Sequence, residues 1–149
     1  VSRERSIDQP GRIMDEKRRP KEGLIAVIGD EDTVTGFLLA GIGQRDDKGN
    51  SNFLVCDEKT NRHKISNTFK EFCARPDISI ILVTQDLAGE IRKEIDEHVE
   101  VIPTVLEIPS KSAKYDKAKD SIVRRVYRLL GKDLDEEIHR EKMKMAGRA

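Results

Sequence analysis

The densest chemistry in this sequence is the run Asp30-Glu31-Asp32, with Thr33 behind it, placed directly after five consecutive apolar residues, Leu24 to Ile28. Two uses fit such a run. Carboxylates just past the carboxyl end of a strand can hold Mg²⁺, since open α/β sheets place their ligands there. They can also accept hydrogen bonds from the free N–H groups of a following helix, and their charge suits its N-terminal dipole. In receiver-type signalling domains an acidic cluster of this kind works with a phosphoacceptor aspartate at the end of the third strand. Here that position reads Ile81-Leu82-Val83-Thr84-Gln85, without an acceptor. Helix capping is therefore the preferred reading, with ion binding as the minor one.

Other chemically capable residues are scattered. His63, His98 and His139 lie far apart in mostly polar surroundings, which argues against a metal cluster. Cys56 and Cys73 lack CxxC spacing and sit in or beside apolar segments, so they read as two reduced, buried thiols of a cytosolic protein. No GxxxxGK[ST] loop or GxSxG elbow occurs, and Gly36, Gly41 and Gly43 follow a helical pattern rather than a strand, which speaks for a turn over a dinucleotide site. No catalytic residue, cofactor or metal is expected. Lys plus Arg and Asp plus Glu each number 28 in 149 residues, so no global basic field draws the chain to nucleic acid or an anionic membrane. No apolar run approaches the roughly 20 residues of a membrane span, and the first residues lack the apolar segment of a secretory signal.

The elements that position these groups follow from hydrophobic patterning. Leu24 to Ile28 is a first strand, Phe53 to Cys56 a second, Ile78 to Val83 a third and Val101 to Ile108 a fourth. Val34, Phe37, Leu38 and Leu39 give the inner face of a first helix that Gly41 and Gly43 end. Ile65, Phe69, Phe72 and Cys73 mark a second helix, capped at Ser66 or Asn67, and Leu87, Ala88, Ile91 and Ile95 a third, opened by Thr84. Alternating strands and helices call for an open four-stranded parallel sheet of the receiver or Rossmann-like kind, with helices on both faces. Right-handed crossovers favour the order 2-1-3-4.

The fourth strand is expected at an edge, because Pro103 cannot donate to a ladder and Glu107 is costly between two covering layers. Its open backbone groups suit strand addition by another chain, with Thr104 and Leu106 as contact candidates; the other reading is that proline and charge merely block unwanted pairing. From Tyr115 to Leu130 a basic amphipathic helix carries Ala118, Ile122, Val126 and Leu129 on one face, widened by Val123, Tyr127 and Leu130, with Gly131 as its end. It packs either on its own sheet or against something else. The divisions expected are a mobile charged extension over residues 1–22, an α/β core over 23–109, a linker and helix over 110–131, and a charged tail over 132–149 that is helical or disordered. The loop Gln44 to Asn52 reads as a solvated turn or as a touch point for neighbouring chains.

The blocks LIAVIGDEDTVTGFLLAGIG, NFLVCDEKT, FKEFCARPDISIILVTQDLAGEIR and VIPTVLEIPSKSAKYDKAKDSIVRRVYRLLG occur in the order seen in one family. From about Leu24 to Gly131 the chain resembles the F subunits of eukaryotic vacuolar proton-translocating ATPases. The resemblance implies a non-catalytic central-stalk rotor subunit on the cytoplasmic side of vacuolar or endosomal membranes. Its implied partner is the coiled-coil D subunit of the V-ATPase, with the d subunit and the ring of A and B subunits nearby. It also implies that the C-terminal helix extends along the D subunit, so that Ile122, Val126, Tyr127 and Leu129 become contact candidates and Arg124 and Arg125 meet acidic partner surface. The rival readings are a receiver-like signalling module and a small-ligand-binding α/β module. Both ends exceed the compact pattern of this family.

Overall fold

The computed structural model describes residues 23–45, 49–112 and 114–147, so the extension expected over residues 1–22 lies outside the described residues. Strands β1 (Leu24–Gly29), β2 (Phe53–Val55), β3 (Ile78–Thr84) and β4 (Thr104–Ile108) form one parallel sheet in the order β2-β1-β3-β4. That is the expected order, with β4 on an edge. Register sets Ala26 beside Ile81 and Ile81 beside Val105. These three share a face and belong to the main buried cluster, with Ile65, Phe69 and Phe72 of α2 (Arg62–Ala74). Ala88 of α3 (Gln85–Glu90) and Ile95 of α4 (Arg92–Glu97) complete it. The opposite face, which carries Val27, Leu82 and Leu106, receives α1 (Glu31–Leu39) over β1 and β2. On the β4 side of that face Leu106 stays 41% exposed.

Local signals explain where the elements begin and stop. Asp30 is the cap of α1, accepting from the Thr33 N–H (3.2 Å) and the Thr33 hydroxyl (2.6 Å). At the other end Gly41 has φ +84°, and the Gly41 and Ile42 N–H groups donate to the Leu38 and Phe37 carbonyls. That pair of bonds is a Schellman closure, which needs a left-handed residue. The loop behind it is pinned by Asn52, 2% exposed, whose amide donates to the Ile25 carbonyl at 2.9 Å and accepts from the Gln44 N–H.

Several expectations need correction. Helix α2 starts earlier than its apolar stripe, at Asn61, whose side chain accepts from the His63 N–H; Ser66 lies inside the helix and donates to Glu94. The helix expected after β3 is two, because Ile91 leaves helical geometry (φ −113°, ψ 29°) between α3 and α4. Thr84 precedes α3 as its cap residue, yet its side chain makes no capping hydrogen bond. Strand β4 starts at Thr104 rather than Val101, since Pro103 offers no N–H to the ladder. The C-terminal helix is also shorter than its pattern. A 3-10 turn, Lys117–Lys119, comes first, and α5 (Ser121–Leu129) starts afresh at Asp120. The tail forms α6 (Leu134–Ala146), capped by Asp133 and anchored by buried Leu134.

Candidate functional site

Past the carboxyl ends of the strands lies a crevice of about 720 Å³ lined by Asp30, Glu31, Asp32, Asp57, Glu58 and Asp86, with Lys111 and Cys56 beside them. Most of these carboxylates already have work. Burial pushes the Asp30 carboxyl up, but the hydrogen bonds from Thr33 outweigh it and hold the group below its usual value. Asp32 pairs with the Lys111 ammonium, and Asp57 accepts from the Thr60 hydroxyl (2.7 Å) and the Lys59 N–H (3.0 Å). Among the described residues no group of three or more His, Cys, Asp or Glu side chains is arranged to hold a metal ion. Burial raises the Cys56 thiol to about 11, and that of half-buried Cys73 equally, so at neutral pH both are protonated and weakly nucleophilic. Of the acidic run, Asp30 caps α1 and Asp32 is taken up by Lys111.

The C-terminal segment is bolted to the sheet edge by a polar network. Glu107, on the covered face of β4, has a side chain that is 0% exposed and is held by both terminal nitrogens of Arg92 on α4. Burial does not exclude this carboxylate from the sheet because the guanidinium supplies a bidentate, charge-assisted partner. Gln85 donates to Glu107 (3.2 Å) and to the Asp116 carbonyl (3.0 Å), and accepts from the Asp116 N–H (2.7 Å). Arg92 also donates to the Ser121 hydroxyl at 2.7 Å. Asp120, buried beside them, accepts from the Ile122 and Val123 N–H groups and from the Tyr115 hydroxyl, whose pKa burial and this bond drive upward.

This anchoring sorts the contact candidates into two sets. Ile122 is half-buried against the main cluster, so it is a docking residue of the fold itself. Arg124 and Arg125 are exposed, donating to the carbonyls of Ala118 (2.8 Å) and of His98 (3.3 Å). These three line one groove with Thr104, whose hydroxyl donates to the Val101 carbonyl at 2.8 Å. Val126 (47% exposed) and Leu129 (81%) are not among the residues that line that groove, with Leu130 exposed next to them and Tyr127 half-buried. Leu106 sits on the other sheet face with Thr104, two positions apart along β4. The sequence pattern did not single out Arg92 or Asp120; the role of Arg92 depends on contacts with residues distant in the chain. Asp120 alone carried a local signal, an acidic residue ahead of Ile122 and Val123.

Comparison with known proteins supplies the remaining finding. Residues 25–126 match the family described as ATP synthase (F/14-kDa) subunit, a span that ends within α5. The V-type proton ATPase F subunit of Dictyostelium discoideum is 56% identical over 117 residues, covering 78% of this chain and 98% of that protein. The corresponding F subunit of Homo sapiens is 56% identical over 102 residues, covering 68% and 86%. The crystal structure of the V-type ATP synthase F subunit from Archaeoglobus fulgidus overlaps 58% of this chain and 98% of its own, at 28% identity and a TM-score of 0.43.

Proposed function

The chain belongs to the ATP synthase (F/14-kDa) subunit family and so to the V-type proton ATPase complex, and from that premise we propose that it is a non-catalytic rotor component of the central stalk. In this role it couples ATP hydrolysis in the soluble ring of A and B subunits to proton transport through the membrane ring. Its direct partner is the coiled-coil D subunit, with the d subunit and the A/B ring as neighbours. It sits on the cytoplasmic side of vacuolar or endosomal membranes, held there through the complex. No described helix is long and apolar enough to cross a membrane, which suits peripheral attachment.

The observation that carries the reading is the exposed apolar end of α5. Val126 and Leu129 in its later turns, and Leu130 at its C-terminal cap, stand exposed, while Ile122 and Asp120 tie its first turn to the body. Burying a valine or leucine side chain contributes about 1.5 to 3 kcal/mol, so a partner covering this face gains several such increments. Thr104 and Leu106, on the sheet face beside α1, are a second contact region. A rotor part also needs stiffness, and a parallel sheet with a close-packed core supplies it.

Co-expression with the D subunit and size-exclusion chromatography tests the reading, with a stable complex expected. The double variant Val126→Asp, Leu129→Asp should weaken that complex more than about tenfold while its circular dichroism and thermal midpoint stay unchanged, since neither side chain is in the core. Ile122 is unsuitable for this purpose because an aspartate there unfolds the docking of α5. Absence of a complex, or nucleotide turnover by the isolated chain, would overturn the proposal.

A further inference from the structure

We propose that α6 is a detachable strap, folded back along α5 over Val123 and Tyr127, and that its release governs how much of α5 a partner can reach. This rests on the reading of α5 as a partner-facing element and adds a control to it. The matched family span ends at residue 126, so α6, which starts at Leu134, lies wholly outside it.

The apolar side chains of α5 divide by what covers them. Ile122 packs on the main cluster, and Val126 is exposed, as is Leu130 at the cap. Val123 and Tyr127, one turn apart, are half-buried, yet neither belongs to the main cluster nor packs against it. Their cover comes from α6, which packs on α5 and on the 3-10 turn ahead of it. Leu134, 4% exposed, is the buried start of α6, and farther along the ammonium of Lys117 in that turn meets Glu141 at 3.2 Å. These two contacts lay α6 antiparallel to α5. Positions 123, 126, 127 and 130 form one i, i+3, i+4, i+7 stripe, the pattern by which an amphipathic helix docks. Half of that stripe is open and half lies under α6.

The hold of the strap is slight. Local signals alone start and charge α6: Asp133 caps it, Asp135, Glu136 and Glu137 occupy its first turn and Lys144 its last. It meets the body through one buried leucine and an ion pair whose members are each about half exposed, a kind of pair that contributes little. Met143 and Met145 stay exposed. A helix docked through so few side chains opens far more readily than the sheet. The reversal itself depends on Gly131, with φ +66°, where the Gly131 and Lys132 N–H groups donate to the Arg128 and Tyr127 carbonyls.

The test compares the full-length wild type with Leu134→Asp and Gly131→Ala, by hydrogen exchange and by titration with the D subunit. A Cβ at Gly131 meets nothing within 4 Å, so alanine there strains only the left-handed turn. Both variants should speed exchange over residues 134–146 about fivefold or more while β1 and β3 keep wild-type protection. Both should also bind the D subunit about fivefold or more tightly, because apparent affinity scales with the released fraction. Should Leu134→Asp loosen the sheet, Gly131→Ala, which removes no side-chain contact, decides alone. Wild-type exchange over residues 134–146, or unchanged or weaker binding of the D subunit, would overturn the strap and leave the stalk reading standing. If neither wild type nor variants bind the D subunit, the stalk reading falls and the strap with it.

Discussion

Arg92 on α4 closes over Glu107 on β4, its two terminal nitrogens each meeting one carboxylate oxygen and leaving the Glu107 side chain without exposure. The hydrogen bond to Glu107 is the chief reason the Arg92 guanidinium is held above its usual pKa, against a smaller opposing effect of burial. The pair is the keystone between sheet and C-terminal segment, because Gln85 and Ser121 bond to its two members. Breaking a buried pair from one side strands the other charge, and the stranded member here is the deeper one. Arg92→Ala should therefore destabilise the fold by about 3 to 5 kcal/mol, and Arg92→Ala combined with Glu107→Leu by clearly less. Urea unfolding of the two variants, with the midpoint and slope compared, decides it; equal losses would mean that the pair does not act as a unit.

Acid stability follows from carboxyls held low in the folded state. The Arg75 guanidinium grips Asp77 with two hydrogen bonds of 3.0 and 2.7 Å and is the main reason that carboxyl lies below its usual value of 3.8. A carboxyl lowered in the folded state contributes stability that is complete above its unfolded-chain value and is lost as pH falls through its folded-state value. Stability should thus be nearly level from about pH 6 to about pH 5 and decline below about pH 4. Asp77→Asn should lower the plateau and flatten the decline, as read from urea midpoints across that range. An acid limb with the wild-type slope in this variant would exclude Asp77 as a contributor.

The parts of this fold that a linear sequence discloses are those decided within a few residues. The apolar run Leu24 to Ile28, the cap at Asp30, and the left-handed endings at Gly41 and Gly131 are all local choices, and the sheet order follows from crossover handedness. Pairings across long separations are not local. Glu107 was legible as a carboxylate too costly for a covered strand, yet the structure covers it, because Arg92, fifteen residues away, reaches it. The same limit applies to the surface on α5. Periodicity identified its apolar stripe, but only tertiary contact separates Ile122, which packs inward, from Val126 and Leu129, which do not. Asp120 was hidden differently, since an aspartate inside a continuous 3.6-residue pattern looks like one more solvated position until the chain turns there.

Two glycines near α1 should respond in opposite directions to the same substitution. A Cβ at Gly36, inside the helix, meets nothing within 4 Å, whereas at Gly43, with φ +103°, it lands 2.7 Å from the Leu38 Cδ2. Gly36→Ala removes unfolded-state freedom and should stabilise by about 0.5 to 1 kcal/mol. Gly43→Ala should destabilise by more than about 1 kcal/mol, adding a left-handed strain to the clash. Thermal midpoints moving apart verify this; a shared direction would show that the α1 turn relaxes freely.

Asp120 links the sheet-anchored segment to α5. One carboxylate oxygen accepts from the Ile122 N–H at 2.8 Å and the Val123 N–H at 3.1 Å, and the other from the Tyr115 hydroxyl at 2.5 Å. Asp120→Ala removes all three bonds and should cost about 1 to 2 kcal/mol, with the loss confined to the C-terminal segment because the main cluster does not include this residue. Hydrogen exchange at residues 121–129 should quicken while exchange in β1 and β3 is unaltered. Asp120→Asn keeps an acceptor for the two N–H groups and should recover most of the protection. If α5 sets the geometry of the complex, the alanine variant also binds the D subunit more weakly than the asparagine variant, with the ratio following the fraction of ordered helix. Uniformly faster exchange across the sheet in the alanine variant would instead mean that this end is part of the global folding unit.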